Sequence, residues 1–153
     1  MRTIKFRGKK VTNGVWAYGS LVYLDENGAA IYVQTDNGSV KVMDLVYVDP
    51  DTVCQFTGFL DKNGKEIYEG DVLRSDEYPY SCIGDKERDN YFGVIEWNEN
   101  EAAFYIVTIK NPKSSVKGIS DGISDYLSKS ALQDFEVIGN INDDEWKRFR
   151  EHL

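Results

Sequence analysis

Glu66, Glu69 and Asp71 lie within six residues of one another. Carboxylates this close could act as general acid and base, or share a Mg²⁺ ion. The order Glu69-Gly70-Asp71, just ahead of Val72 and Leu73, has a simpler use. Gly70 lets the backbone turn, and Asp71 accepts backbone N–H groups across that turn. Neither His nor Cys joins the cluster, so the structural use is favoured over a catalytic one. Asp61, Asn63 and Glu66 also supply oxygens around a glycine, Gly64. An EF-hand calcium loop needs further acids at its fifth and twelfth positions, glycine at the sixth, and flanking helices. Here glycine comes fourth between strand-like runs.

Nucleophiles are equally isolated. The lone histidine, His152, sits among residues expected to fray, which disfavours a Ser-His-Asp or Cys-His arrangement. Ser81, Ser114 and Ser115 fall in polar stretches without a base. Cys54 and Cys82 match no CxxC spacing and, without an export signal, read as reduced thiols. GISDGIS, residues 118–124, lacks the Lys and the preceding strand of a phosphate-binding loop. The expectation is a non-enzyme with no catalytic residue, no cofactor and no metal.

Charge points away from nucleic acid. The 153 residues carry a formal charge of −8, and non-specific binding depends on Lys and Arg neutralising phosphates. The first ten residues are the exception, with Arg2, Lys5, Arg7, Lys9 and Lys10 and no acid. The favoured reading is a solvated edge strand blunted by cations; the alternative is a nucleic-acid surface. A variant is that the acidic remainder imitates nucleic acid. Aromatics make up 13% of the chain. Tyr18, Tyr68, Tyr78, Tyr80, Tyr91, Trp97 and Tyr126 would suggest base stacking on a basic groove, but amid acidic surroundings core and interface packing is the better reading. No signal-peptide pattern opens the sequence, and no apolar run approaches the roughly 20 residues of a spanning helix. The expectation is therefore no membrane association and a cytoplasmic location.

These residues need elements to position them. Residues 3–24 alternate through Ile4, Phe6, Ala17, Leu21 and Tyr23, interrupted by Thr12-Asn13-Gly14, which reads as strand, turn, strand. Asn-Gly recurs at 27–28 and 37–38 between β-branched and aromatic runs, the strongest short hairpin signal. LDENGAAIY (24–32) and LDKNGKEIY (60–68) share six positions. Recurring hairpin chemistry explains this better than duplication: Asp bonds the backbone two residues on, and Gly takes the left-handed position of a bulge. Farther along, Val72-Leu73, Phe92–Trp97 and Ala103–Ile109 alternate, with long polar loops at 74–91 and 111–125. The order strand, long loop, strand, turn, strand suits a small SH3-like barrel, closed by a strand over Phe135–Ile138. A weak helical signal covers Ile123–Leu132. Asn142 and Glu145 suggest a capping box, and Trp146, Phe149 and Leu153 share one helical face.

Within this frame, QFTGFLDKNGKEIYEGDVL (Gln55–Leu73), GVIEW (Gly93–Trp97) and FEVIGNI (Phe135–Ile141) resemble the YopX family of phage and prophage proteins. TIKFRGK and WAYGSLVY near the start are similar to that family too. Cys54 departs, standing where the family more often has glycine, so no thiol role is carried over. The resemblance implies a mainly β fold with an N-terminal β subdomain, residues 1–58, and an SH3-like barrel, 59–141. A short C-terminal helix over 142–153 completes the expectation, with one compact unit as the alternative. It also implies a phage or prophage origin, action in a bacterial cytoplasm, and oligomers among relatives. It supplies no catalytic residues. The expected function is a non-enzymatic accessory protein that binds a host or phage protein and self-associates.

Overall fold

The protein was analysed as a computed structural model that describes residues 1–25, 28–36, 41–75, 91–109 and 124–147. It is mainly β, with two antiparallel sheets and neither closed into a barrel. The chain divides into two compact units, Met1–Gly58 and Phe59–Leu153.

The first unit contains β1 (Phe6–Lys9), β2 (Trp16–Asp25), β3 (Gly28–Asp36), β4 (Lys41–Val48) and most of β5 (Cys54–Leu60). They lie in the order β4-β3-β2-β1-β5. Opposed residues in an antiparallel pair share a face, and faces alternate along each strand. Phe6 opposes Gly19, Leu21 opposes Ile31, and Ile31 opposes Val46. That face carries the core, with Ala17, Ala29, Ile31 and Val48 buried and Phe6, Leu21, Val33 and Val53 packed around them. Beyond β1 the chain meets the far end of β4. Lys10 bridges Val48, and the Val11 N–H donates to the Tyr47 carbonyl at 3.2 Å.

β1 is not the edge strand its cations suggest, because it pairs with β2 on one side and β5 on the other. Thr52 fixes its end. The Thr52 hydroxyl donates to the Asp49 carbonyl at 2.7 Å and accepts the Lys9 N–H at 2.8 Å.

In the second unit the chain turns from β5 into β6 (Glu66–Tyr68). Then follow β7 (Asp71–Ser75), β8 (Tyr91–Asn98), β9 (Ala103–Ile109), β10 (Ser124–Tyr126), α1 (Lys129–Leu132) and β11 (Glu136–Asn140). β10-β9-β8-β7-β11 form an open sheet. Ile67, Leu73, Ile95, Phe104, Ile106, Leu132 and Phe135 form its core. The expected SH3-like barrel is not what the described strands make. Closure needs a continuous stagger of pairing around the ring, and β10 and β11 end the row as separate edges.

Other expectations shift in detail. Arg74, Ser75, Tyr91, Ser124 and Asp125 are strand residues rather than loop; the rest of loops 74–91 and 111–125 lies outside the described residues. The helical signal at 123–132 narrows to Lys129–Leu132. The C-terminal helix expected over 142–153 is described only to Lys147, as turns entering one helical residue. Its cap is Asn140 rather than Asn142. The Asn140 carboxamide oxygen accepts the Asn142 N–H at 2.9 Å, and the Asp143 carboxylate accepts the Asn140 N–H at 3.0 Å, a capping-box exchange two residues early. The paired LDxNG stretches also differ. Gly64 has φ +80° after an Asp61 turn, whereas Gly28 is a strand residue paired with Asp25.

Candidate functional site

Two places gather the residues whose chemistry the sequence raised. The first is the corner between β6 and β7. Asp71 is fully buried. Its carboxylate accepts the Tyr68 N–H at 2.8 Å and the Asn140 side-chain amide at 3.1 Å. The same amide donates to the Glu69 carbonyl at 3.1 Å. Gly70, at φ +73°, turns between them; its N–H donates to the Ile95 carbonyl at 2.7 Å and its carbonyl accepts the Ile141 N–H at 2.9 Å. Glu66 points elsewhere and accepts the Tyr68 hydroxyl at 2.7 Å. The carboxylates are spread over separate backbone and hydroxyl partners, and no group of three or more His, Cys, Asp or Glu is placed to hold a metal among the described residues.

Asp61 has the same character. One carboxylate oxygen accepts the Asn63 and Lys65 N–H groups, each at 2.8 Å, and the other accepts the Val137 N–H at 3.0 Å. It closes its own turn and ties that turn to β11. Beside it, Glu136 pairs with Arg74 and, at 3.6 Å, with Lys62. Partial burial pushes the Glu136 carboxyl up, but the Arg74 guanidinium, helped by Lys62, overcomes this and holds it below its usual 4.5. Burial raises the Tyr105 phenol, and the hydrogen bond it donates to Glu96 at 2.9 Å raises it further.

The second place is the outer face of the first unit's sheet, opposite its core. Arg7 opposes Tyr18 and Lys9 opposes Trp16. Next to them Ser20 opposes Tyr32, then Tyr32 opposes Leu45 and Gln34 opposes Met43. From β1 to β4 this face therefore runs from cations through aromatics to apolar side chains. Arg7 is only 5% exposed, with its guanidinium carbon 4.3 Å from the Trp16 ring centre. The Lys9 ammonium lies 5.2 Å from the same ring and the Lys5 ammonium 5.8 Å from the Tyr18 ring. These are cation–π distances. At the other end Met43 is 54% and Tyr47 59% exposed, with Tyr18, Tyr32 and Leu45 also exposed. A depression of ≈ 820 Å³ crosses the strands, lined in part by Lys5, Tyr18, Ser20, Tyr32, Gln34 and Met43.

The chain matches the family described as YopX protein over residues 5–145. It belongs to the YopX family. A solved structure titled "Crystal structure of protein EF1440 from Enterococcus faecalis" superposes with a TM-score of 0.55. The match covers 95% of this chain and 97% of that one at 16% identity, a likeness of fold. No curated protein matches the chain significantly in sequence. Within the central block that carried the YopX resemblance, Asp61, Gly70 and Asp71 all serve backbone geometry.

The remaining sequence candidates separate. Tyr68 is core, whereas Trp97 is partly exposed with its ring edge-to-face on Phe104 at 4.9 Å. Cys54 is buried, its thiol donating to the Thr52 carbonyl at 3.2 Å. Tyr91 and Tyr126 are strand residues. Cys82, Tyr78, Tyr80, Ser81, Ser114, Ser115 and His152 lie outside the described residues, as does most of 118–124. The sequence reading missed Tyr32, Met43, Leu45 and Tyr47 as one surface; their alternation with the core-facing Ile31, Val46 and Val48 was its available signal. It also missed Asn140, which has no local signature. No helix among the described residues is long and apolar enough to cross a membrane.

Proposed function

We propose that this YopX-family chain is a non-enzymatic protein-binding module, a phage- or prophage-encoded accessory protein acting in a bacterial cytoplasm. Its contact surface is the outer face of β1–β4. One observation carries the reading: Tyr18, Tyr32, Met43, Leu45 and Tyr47 are exposed together on one regular sheet face. Tyr, Met and Arg are the residues enriched at protein interfaces, and clustered apolar exposure marks binding surfaces. The carboxylates that would serve a hydrolytic or metal-dependent enzyme are engaged in holding turns.

A second reading, nucleic-acid binding through β1, is favoured by its cations. It is weakened by their placement, since Arg7 and Lys9 lie against Trp16, the ring best placed to stack on a base. The test is capture from nuclease-treated host lysate by wild type and by Tyr32→Ala/Met43→Ser, with both proteins checked by thermal melting. A partner held by wild type and lost by the equally stable variant is expected. A partner held equally by both, or one lost on nuclease treatment, would overturn the reading.

A further inference from the structure

The strands that end the described rows are not alike. β6 and β10 are three residues each. β11 carries a bulge between Val137 and Gly139, and its Val137 N–H is taken by Asp61. Short strands, bulges and covered backbone all stop an edge from pairing further. β4 has none of them. It is eight residues long, contains no proline, and pairs with β3 in unbroken register from Ala29 on Val48 to Asp36 on Lys41.

The contacts at its far end show which backbone groups face outward. Around the Lys10–Val48 bridge, the Val11 N–H donates to the Tyr47 carbonyl at 3.2 Å and the Asp49 N–H to the Lys9 carbonyl at 2.9 Å. A strand residue sends its N–H and C=O to one side, and the residues before and after it send theirs to the other. Tyr47, Leu45 and Met43 therefore direct theirs away from β3. Lys10 and Val11 close the edge at Tyr47. Among the described residues, no backbone group pairs with Leu45 or Met43 on that side. Their side chains are exposed, and so is Asp44 between them.

From this geometry we propose that the β4 edge takes an extended segment of another protein as an added antiparallel strand, with an apolar–cationic–apolar run against Met43-Asp44-Leu45. This rests on the protein-binding reading above and states how the partner is held. Backbone bonds along such an edge supply affinity, and alternate side chains supply specificity. The added strand exchanges N–H···O bonds with Met43 and Leu45 and continues the line that Lys10 and Val11 begin. Its apolar side chains extend the exposed row of Met43, Leu45 and Tyr47. Its central Lys or Arg stands opposite Asp44, a cross-strand pair that opposite charges stabilise. Asp44 also selects against a second copy. One β4 laid antiparallel on another, Leu45 on Met43, opposes Asp44 to its own counterpart with Cα atoms about 4.5 Å apart, where like charges repel.

The test uses fluorescence anisotropy with the full chain and the fluorescein-labelled, end-blocked peptide Thr-Val-Lys-Val-Thr. One control carries Glu for Lys. Another carries N-methylvaline at both Val positions, which removes the N–H groups offered to β4 and keeps the side chains. The parent peptide is expected to bind about tenfold tighter than either control. Asp44→Lys should reverse the preference between the Lys and Glu peptides. Leu45→Pro removes an outward N–H and no bond to β3, and should weaken binding about tenfold with melting little changed. Should Leu45→Pro melt early, the N-methylated peptide makes the same test on unaltered protein. Equal binding of the N-methylated peptide, lost in Tyr32→Ala, would overturn strand addition but leave the protein-binding face standing. Equal binding of the Lys and Glu peptides, or no reversal in Asp44→Lys, would overturn the inference. Self-association in sedimentation velocity that Leu45→Pro abolishes would assign the edge to a second copy and also overturn it. So would absence of binding to every peptide, while the lysate capture with Tyr32→Ala/Met43→Ser judges the protein-binding reading separately.

Discussion

The two units use charged side chains in opposite ways. In the second, charge is directed inward. Asp71 and Asp61 accept backbone N–H groups, and Glu136 is set between Arg74 and Lys62. In the first, Lys5, Arg7 and Lys9 line one sheet face and lie against Trp16 and Tyr18. Carboxylates thus organise backbone in the second unit, and cations organise a surface in the first. The difference is visible in what surrounds them: turns and strand ends rich in unpaired N–H groups attract carboxylates, while a regular strand interior has its backbone already paired and leaves side chains to interact across the face.

The strongest attempt to break this contrast is Asp71→Ala. It takes the acceptor from the Tyr68 N–H and the Asn140 amide in a fully buried corner. We expect a loss of about 3 kcal/mol and a melting temperature about 10 °C lower. Unchanged melting would show that the corner is not what holds the second unit. Asp61→Ala comes next, at about 2 kcal/mol by urea denaturation, since three backbone donors lose a buried acceptor. Arg7→Met keeps the apolar bulk beside Trp16 and removes the charge. It should cost about 1 kcal/mol, the scale of a cation–π contact. A loss as large as that of Asp71→Ala would erase the distinction between the units.

Glu136→Gln sharpens the contrast through pH. The Glu136 carboxyl is held below its usual 4.5 in the fold. Its stabilisation is therefore present above pH 4.5 and is lost as pH falls through the lower folded value. Wild type and variant should differ in melting temperature near neutrality and converge in stronger acid. A difference that persists unchanged into acid would mean that Glu136 acts through packing rather than charge.

Much of the strand order was legible because alternation survives wherever one face is buried. Ile31, Val46 and Val48 announce their core face regardless of tertiary context. β1 was misread as an edge because cations on alternate positions look alike whether they face water or an aromatic ring. Only the arrival of β5 on its second side distinguishes the two. The family's central block was readable as a turn from Asp61 to Gly64, and as a corner from Glu69 to Asp71. What it holds was not readable, because the partners Val137 and Asn140 are far along the chain. The shift of the C-terminal cap from Asn142 to Asn140 has a related cause: the amide of Asn140 is fixed from its other side by Asp71 and Glu69. The exposed outer face of β1–β4 is harder still to read, since a surface tyrosine and a core tyrosine occupy strand positions with the same propensity.

The pairing of β7 with β11 also sets an order of events during synthesis. Arg74 and Glu136 are 62 residues apart in sequence, and the corner at Asp71 lacks its Asn140 donor until β11 has emerged from the ribosome. β1–β4, joined by neighbouring hairpins and closed by Lys10 on Val48, need no such wait. The first unit can settle on the translating ribosome while the second still has an unfilled place beside β7, exposed to chaperones or to strand mispairing until Glu136–Asn140 arrives.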